Sequence, residues 1–337
     1  MSDQDGCLLD VRDLEVSFNT DEGRLVAVNG ISFSVERGKT LGIVGESGSG
    51  KSVATRSLMQ LLPSNAQLGT ASRIRLAVKS GQIIDVDALP RRGKPIERIR
   101  GGEISMIFQE PMASFSPVWT IGNQLIEAIR LHRHVSRTQA REIAIEALDK
   151  VGVSSPALRL AQYSHELSGG MRQRAMIAMA LATNPSLLIA DEPTTALDVT
   201  IQAQVIALMN DLQSEFGMSI IFITHDMGVI AQVADEVAVM YLGQIVEYGP
   251  TAKVIHEPRH PYTRGLLAAL PDPRNPRARL APVPGEIPAP MERPSGCPFH
   301  PRCGNFMSGL CDRKAPPAVE FADGVRLACF LHQEPGA

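Results

Sequence analysis

Eight consecutive residues, Gly45-Glu46-Ser47-Gly48-Ser49-Gly50-Lys51-Ser52, have the spacing GxxxxGK[ST]. Glycines so placed let a loop wrap until its backbone N–H groups converge on phosphate oxygens, and the helix that follows presents its positive end to the same anion. Lys51 then reaches the β- and γ-phosphates and the Ser52 hydroxyl ligates Mg²⁺. The bland alternative is a flexible surface loop. A second pair, Asp191 and Glu192, closes the apolar run Leu187-Leu188-Ile189-Ala190. Acids there stand at the carboxyl edge of a sheet, where ligands bind in open α/β folds. Asp191 suits a Mg²⁺ shell, and Glu192 suits a base that orients or deprotonates water. A third constellation is Cys297, Cys303, Cys311 and Cys329, spaced C-x5-C-x7-C-x17-C. This is not the paired CxxC of a zinc ribbon, so spacing alone leaves Zn²⁺ and an iron-sulfur cluster both open.

These residues need elements to hold them. Apolar runs at 8–18, 26–35 and 41–44 read as strands, and the last leads through the glycine loop into a helix over 51–62. A hairpin is expected around Ser80-Gly81. Helix formers fill 120–151, with Ile121, Leu125 and Ile129, then Ile143, Ala147, Leu148 and Val151, at helical spacing. A helix follows over 172–183. Strands at 186–190 and 219–224 flank a helix over 201–216, a βαβ unit suited to parallel pairing. Residues 236–246 read as two short strands turned at Gly243. Beyond 250 the periodicity fades, and the proline density from Pro271 to Pro294 excludes a continuous helix or central strand. The fold class is α/β.

Composition sets the frame. The 337 residues carry a formal charge of −3 and are 44% hydrophobic, as in a globular protein large enough for two domains. Sixteen of the 24 prolines and four of the five cysteines lie in 250–337, which marks that segment as a different kind of polypeptide. The longest uncharged runs, such as 175–190, are too short and too polar for a membrane span. The acidic start MSDQDGCLLD lacks a signal-peptide pattern, which implies a cytosolic chain with reduced thiols, so clustered cysteines point to metal, with Cys7 a bystander. The weakly acidic balance argues against nonspecific nucleic-acid binding.

Between the two phosphate-related motifs stands Leu167-Ser168-Gly169-Gly170-Met171, 117 residues from Lys51 to Ser168 and 23 from there to Asp191. Here the sequence closely resembles the ATP-binding subunits of ABC transporters, whose signature is LSGGQ, with Met171 in place of the usual Gln. The resemblance implies an ABC-type P-loop NTPase core: a mixed sheet with a helical signature subdomain at about 110–180, an ATPase domain over 1–250, and a small proline-rich, cysteine-containing extension over 251–337. It implies ATP bound by Phe18 and residues 45–52, and Mg²⁺ held by Ser52, Gln109 and Asp191. Hydrolysis falls to Glu192, His225 and Gln109. Residues 167–171 meet the ATP of a second ABC ATPase subunit, and Asp198, in the Ala196-Leu197-Asp198 turn, lies at that dimer interface. For His225 and Phe18 the plainer readings are a structural histidine and a core phenylalanine; for Trp119, on the loop expected to face the membrane partner, ordinary packing is an equal reading.

The likeness narrows at residues 105–120, at the DEPTTALDVTIQAQ stretch from Asp191 and at His260-Pro261-Tyr262-Thr263. These look like the oligopeptide and dipeptide importer subclass, which includes nickel and glutathione importers. Ser164, where proline is frequent, is a departure that touches nothing catalytic. The resemblance implies a motor subunit for solute uptake at the cytoplasmic face of the inner membrane. Its partners would be a second ATPase chain, identical or different, two transmembrane permeases and, indirectly, an extracytoplasmic binding protein. Peptides are the expected cargo, with nickel, glutathione or another small solute as alternatives. A non-transport ABC ATPase is the rival class, disfavoured by the single cassette. In this subclass the four cysteines resemble a [4Fe-4S] site, with zinc the alternative.

Overall fold

The apolar runs flanking the glycine loop form strands, and the stretches with three-to-four-residue apolar spacing form helices. The computed structural model describes residues 6–109, 114–195, 198–270 and 283–332. In chain order the elements are β1 (Cys7–Thr20), β2 (Gly23–Glu36), β3 (Thr40–Val44), α1 (Lys51–Ser57), β4 (Ala66–Leu68), β5 (Arg73–Ala77), β6 (Ile83–Asp85), α2 (Lys94–Ile99), β7 (Ile104–Ile107), α3 (Ile121–His132), α4 (Arg137–Lys150) and α5 (Pro156–Arg159). There follow α6 (Gly169–Leu181), β8 (Leu187–Asp191), α7 (Val199–Phe216), β9 (Ser219–Thr224), α8 (Met227–Val233), β10 (Glu236–Tyr241), β11 (Gln244–Pro250), α9 (Thr251–His256), α10 (Pro261–Ala268), β12 (Val319–Glu320) and β13 (Arg326–Leu327).

The chain divides into two compact units. One gathers Leu76–Ile221 and Val35–Lys39 with the start of β1. In it β7 and β8 run parallel, with Ile104 opposite Leu187 and Ile107 opposite Ala190, and every residue of both strands is buried. Strands covered on both faces read as unbroken apolar runs, which is why neither alternates in the sequence. Helix α3 packs on α4, and α4 on α6. Ile121, Leu125 and Ile129 of α3, and Ala140, Ala144 and Leu148 of α4, supply the buried stripes. The helix-forming stretch at 120–151 is two helices because each has its own cap. The Thr120 hydroxyl accepts the Asn123 N–H at 3.2 Å, and Ser136 and Gln139 form a capping box.

The other unit gathers Leu9–Ser34, Thr40–Arg75 and the chain from Phe222 onward. Its larger sheet runs β12-β13-β11-β10-β3. Strand β10 is parallel to β3, with Val237 opposite Gly42, and forms the expected hairpin with β11. The C-terminal β13 extends this sheet, with Leu327 opposite Glu247. Strand β1 lies between β2 and β5 and pairs antiparallel with β4.

Two expectations are corrected. Helix α1 stops at Ser57, short of 62, because Gln60 turns left-handed at φ 53° and the Leu61 N–H returns to the Arg56 carbonyl at 2.9 Å. Residues 251–268, read as aperiodic, hold α9 and α10. Six and eight residues are too few to display a period, and α10 is capped by histidine: His260 Nδ1 accepts the Tyr262 N–H at 3.0 Å.

Candidate functional site

The phosphate loop joins β3 to α1, and the backbone around it demands its glycines. A Cβ on Gly45 would lie 2.2 Å from the Met240 carbonyl oxygen, and one on Gly50 2.6 Å from that of Ala27. Gly50 also sits at φ 97° as the cap of α1, a region L side chains avoid. Lys51 is buried, and its Nζ donates to the carbonyls of Gly45 at 2.7 Å and Glu46 at 3.0 Å, with Ser49 Oγ at 3.5 Å. The ammonium is thus held within its own loop, where phosphate oxygens are alternative acceptors.

Glu46 is fixed at three points. Its N–H donates to the Tyr262 hydroxyl at 2.9 Å, its carbonyl accepts from Lys51, and its carboxylate receives Arg302 in a two-pronged contact of 2.7 and 3.0 Å. Sequence reasoning missed both partners. They lie 216 and 256 positions downstream, and only the membership of Tyr262 in the His260–Thr263 motif hinted at a role. Burial pushes the Tyr262 phenol well above its ordinary pKa, so it stays a neutral hydroxyl.

The same unit holds His225 and Phe18. His225 is exposed directly after β9, on a turn made rigid by its neighbour. Asp226 Oδ1 accepts the Gly228 and Val229 N–H groups at 2.7 and 3.3 Å, and its own N–H donates to Thr224 Oγ1 at 3.0 Å. Phe18, half-buried, faces Ala66 across the β1–β4 ladder.

In the other unit β8 ends on Asp191, which is fully buried, and Glu192 follows at once. Glu192 adopts φ 48°, a left-handed conformation that costs a non-glycine residue on the order of 1 kcal/mol. Two donors hold its Oε2, Gln109 Nε2 at 3.0 Å and the Thr195 hydroxyl at 2.9 Å, while the Thr195 N–H donates to its carbonyl at 3.2 Å. Gln109 and Glu192, 83 positions apart, are therefore brought together. Thr195 and the buried Gln173, whose Nε2 donates to the Pro193 carbonyl at 2.6 Å, were not legible as parts of this turn.

The signature opens α6. Leu167 is buried as its anchor, and Ser168 caps the helix by accepting the Met171 N–H at 3.3 Å. Ser168 and Gly169 are exposed, and a Cβ on Gly169 would meet nothing within 4 Å. Asp198 caps α7, with Oδ1 accepting the Ile201 N–H at 2.9 Å. Its turn neighbours Ala196 and Leu197 lie outside the described residues, as do 110–113 of the segment after Gln109 and the proline-rich 271–282. Val118 and Trp119 are 75% and 55% exposed, and Trp119 borders a cleft of about 430 Å³ with Asn123, Ile126, Arg130 and Leu131.

The four C-terminal cysteines are free thiols, three of them buried and Cys303 half-buried. The Cys297 N–H donates to the Cys311 carbonyl at 2.8 Å. Burial pushes the Cys297 thiol up to about 11, and the charges of Cys311, Cys329 and Cys303 add to the shift. Burial also raises Cys303 and Cys329. Among the described residues, no group of three or more His, Cys, Asp or Glu side chains is placed to hold a metal ion, and no helix is long and apolar enough to cross a membrane. Cys7 stands apart, its Sγ 4.0 Å from the Val35 carbonyl.

Comparison with known proteins places these features. A family described as ABC transporter matches residues 28–195, and one described as Oligopeptide/dipeptide transporter, C-terminal region, matches 246–311. The oligopeptide transport ATP-binding protein OppD of Salmonella typhimurium is 47% identical over 96% of this chain and 93% of its own length. The dipeptide transport ATP-binding protein DppD of Bacillus subtilis is 46% identical over 97% and 95%. Among solved structures, the dimeric, ADP- and Pi-bound ATP-binding cassette MJ0796 superposes with a TM-score of 0.63 at 23% identity, covering 72% of this chain and 99% of that one. The chain belongs to the ATP-binding subunits of ABC transporters, in the branch that carries the oligopeptide/dipeptide transporter C-terminal region.

Proposed function

We propose that this ATPase is the motor of a peptide importer, with Glu192 as the base that prepares the attacking water. The observation that carries the catalytic assignment is the Glu192 carboxylate held by Gln109 and Thr195 in a strained backbone conformation. Strain of this kind persists where surrounding contacts over-determine it, as at working sites. Lys51 and the 45–52 loop bind the triphosphate, Ser52, Asp191 and Gln109 serve Mg²⁺, Phe18 meets the adenine, and His225 meets the γ-phosphate. The names of the relatives support peptides as cargo.

Two such chains sandwich two ATP molecules, with residues 167–171 of each meeting the nucleotide of the other and Asp198 at the interface. ATP favours the closed dimer because it binds that state better, and the differential affinity moves the membrane subunits. The exposed Val118 and Trp119 and the adjoining cleft suit docking of a permease, which would hold the subunit at the cytoplasmic face of the inner membrane beneath an extracytoplasmic binding protein. Residues 1–250 carry the ATP-handling positions and 251–337 an accessory element.

In liposomes holding the permeases and loaded binding protein, ATP is expected to drive labelled oligopeptide uptake. Glu192→Gln should retain MgATP binding while turnover falls on the order of a hundredfold or more. Near-native turnover in that variant would refute the role of Glu192, and uptake of nickel in place of peptide would correct the cargo.

The four cysteines are read as the ligands of a [4Fe-4S] cluster, with zinc as the alternative. Cys297, Cys303, Cys311 and Cys329 supply a four-thiolate donor set, and burial raises the pKa values of Cys297, Cys303 and Cys329, so ionising those three takes the charge of a metal group. Such a group supplies cross-linking of the C-terminal segment. Oxygen-free purification with assay of iron, labile sulfide and zinc tests this; stoichiometric zinc without iron overturns it.

A further inference from the structure

Glu46 is an awkward residue for a loop that binds a triphosphate, because a carboxylate beside phosphates repels them. Its answer comes from the far end of the chain. Arg302, with a side chain only 3% exposed, donates from Nη1 to Glu46 Oε2 and from Nη2 to Oε1. The rest of the guanidinium is equally engaged, with Nε on the Pro284 carbonyl at 2.9 Å, Nη2 on the Val283 carbonyl at 3.3 Å and Nη1 on the Tyr241 hydroxyl at 3.5 Å. All five N–H donors of the fork are matched, so it has one orientation. A guanidinium is charged throughout the working pH range.

The turn that carries Arg302 is itself fixed. It runs from Cys297 to Cys303, closed by the His300 N–H on the Cys297 carbonyl and the Cys303 N–H on the His300 carbonyl, at 3.0 and 3.2 Å. Phe299, three residues before Arg302, stacks edge-on against Tyr241 at 5.2 Å and lies 5.4 Å from Tyr262, the residue that takes the Glu46 N–H. The side chain and the backbone of Glu46 are therefore governed by one aromatic and basic cluster built from α10 and the cysteine-bearing turn.

We propose that Arg302 is a positioning residue of the phosphate loop: it holds Glu46 and neutralises it, so the C-terminal segment sets the ATP affinity of its own chain. Arg302 does not touch the nucleotide; it acts through Glu46. Removing the arginine leaves a carboxylate beside the phosphates, whereas removing both charges leaves neither repulsion nor an orphaned ion.

The full-length chain is titrated with MgATP at equilibrium, alongside urea unfolding. Arg302→Gln is expected to raise the dissociation constant about tenfold or more, and adding Glu46→Gln to it to bring the constant back to within about threefold of wild type. Urea unfolding separates positioning from a structural role: the affinity loss and its rescue count for positioning only where the variants are fully folded at the conditions of the titration, and a loss that follows the folded fraction overturns the proposal. Wild-type affinity in Arg302→Gln, or a double variant as weak as the single, overturns the proposal. If Arg302→Gln does not fold, Arg302→Lys decides: retained charge on one arm should weaken MgATP about threefold, and Glu46→Gln should remove the deficit. An unchanged constant in Arg302→Lys then overturns it.

Discussion

Two glycine-rich turns open helices in this chain, and they use glycine for opposite reasons. At Gly45 and Gly50 of the phosphate loop the chain leaves no room: carbonyl oxygens stand 2.2 and 2.6 Å from where their Cβ atoms would be, and Gly50 has φ 97°. In the signature turn nothing intrudes; a Cβ on Gly169 has open space, and the nearest atom to one on Gly170 is 4.0 Å away. Gly45 and Gly50 are required by the packing of their own chain, and in the proposed site they close the loop that binds that chain's nucleotide. Gly169 has no such constraint, and in the proposed dimer it keeps a helix start clear for the other chain's phosphate.

Breaking the first turn should have the larger effect. In Gly50→Ala neither the dihedral nor the backbone carbonyl of Ala27 can give way cheaply, so MgATP binding should fall a hundredfold or more, with a stability loss of about 2 kcal/mol. Equilibrium binding and urea unfolding report both. An alanine variant that binds ATP normally would remove the reason assigned to the glycine.

The second turn should respond in the opposite sense. Gly169→Ala adds a better helix former at an open site, so the chain should be as stable as wild type or up to about 1 kcal/mol more so. MgATP binding by the single chain should not change. Turnover of the assembled transporter should drop about tenfold or more, because an ångström of displacement at a reacting phosphate is enough for that. Full turnover with alanine would show the openness at Gly169 to be incidental.

The difference between the turns also explains what the sequence could disclose. Local chemistry was legible: GxxxxGK[ST], an apolar strand ending in Asp191-Glu192, and Leu167 to Met171 each carry their reason within a few residues. The buried runs of β7 and β8 and the apolar spacing of α3 and α4 were legible for the same cause. Long-range support was not. Arg302 and Tyr262 act on Glu46 across more than two hundred positions, and nothing in a basic residue between two cysteines announces a phosphate-loop partner. Thr195 and Gln173 were hidden likewise, because an uncharged side chain within a turn or helix has many uses. Short helices such as α10 escape periodicity by length alone.

The smallest expected effect separates the two turns by acid. The phosphate-loop side is buttressed by α10, whose cap His260 is buried and held neutral, its pKa pulled by burial to about 3, with the nearby charges of His332 and Arg264 acting the same way. In the unfolded chain this imidazole takes its proton near 6.5, so between there and about 3 the unfolded state binds one more proton than the native state. Stability present at neutral pH is therefore lost on acidification, by at most about 1.4 kcal/mol per pH unit, and no further below about 3. Burial raises the Glu247 carboxyl above its ordinary 4.5, which works in the opposite direction, so the histidine's contribution is read from the difference between wild type and a variant lacking the imidazole. Protonation at Nδ1 would also remove the acceptor for the Tyr262 N–H, and with it the anchor of the hydroxyl that fixes Glu46. Urea unfolding at pH 7.5, 6 and 5 should show the wild-type slope, and His260→Asn, which keeps a capping oxygen without the titration, should flatten it by close to one proton. An identical slope in both proteins would assign the acid sensitivity elsewhere and leave the phosphate-loop buttress no more pH-dependent than the signature turn, whose cap is the non-titrating Ser168.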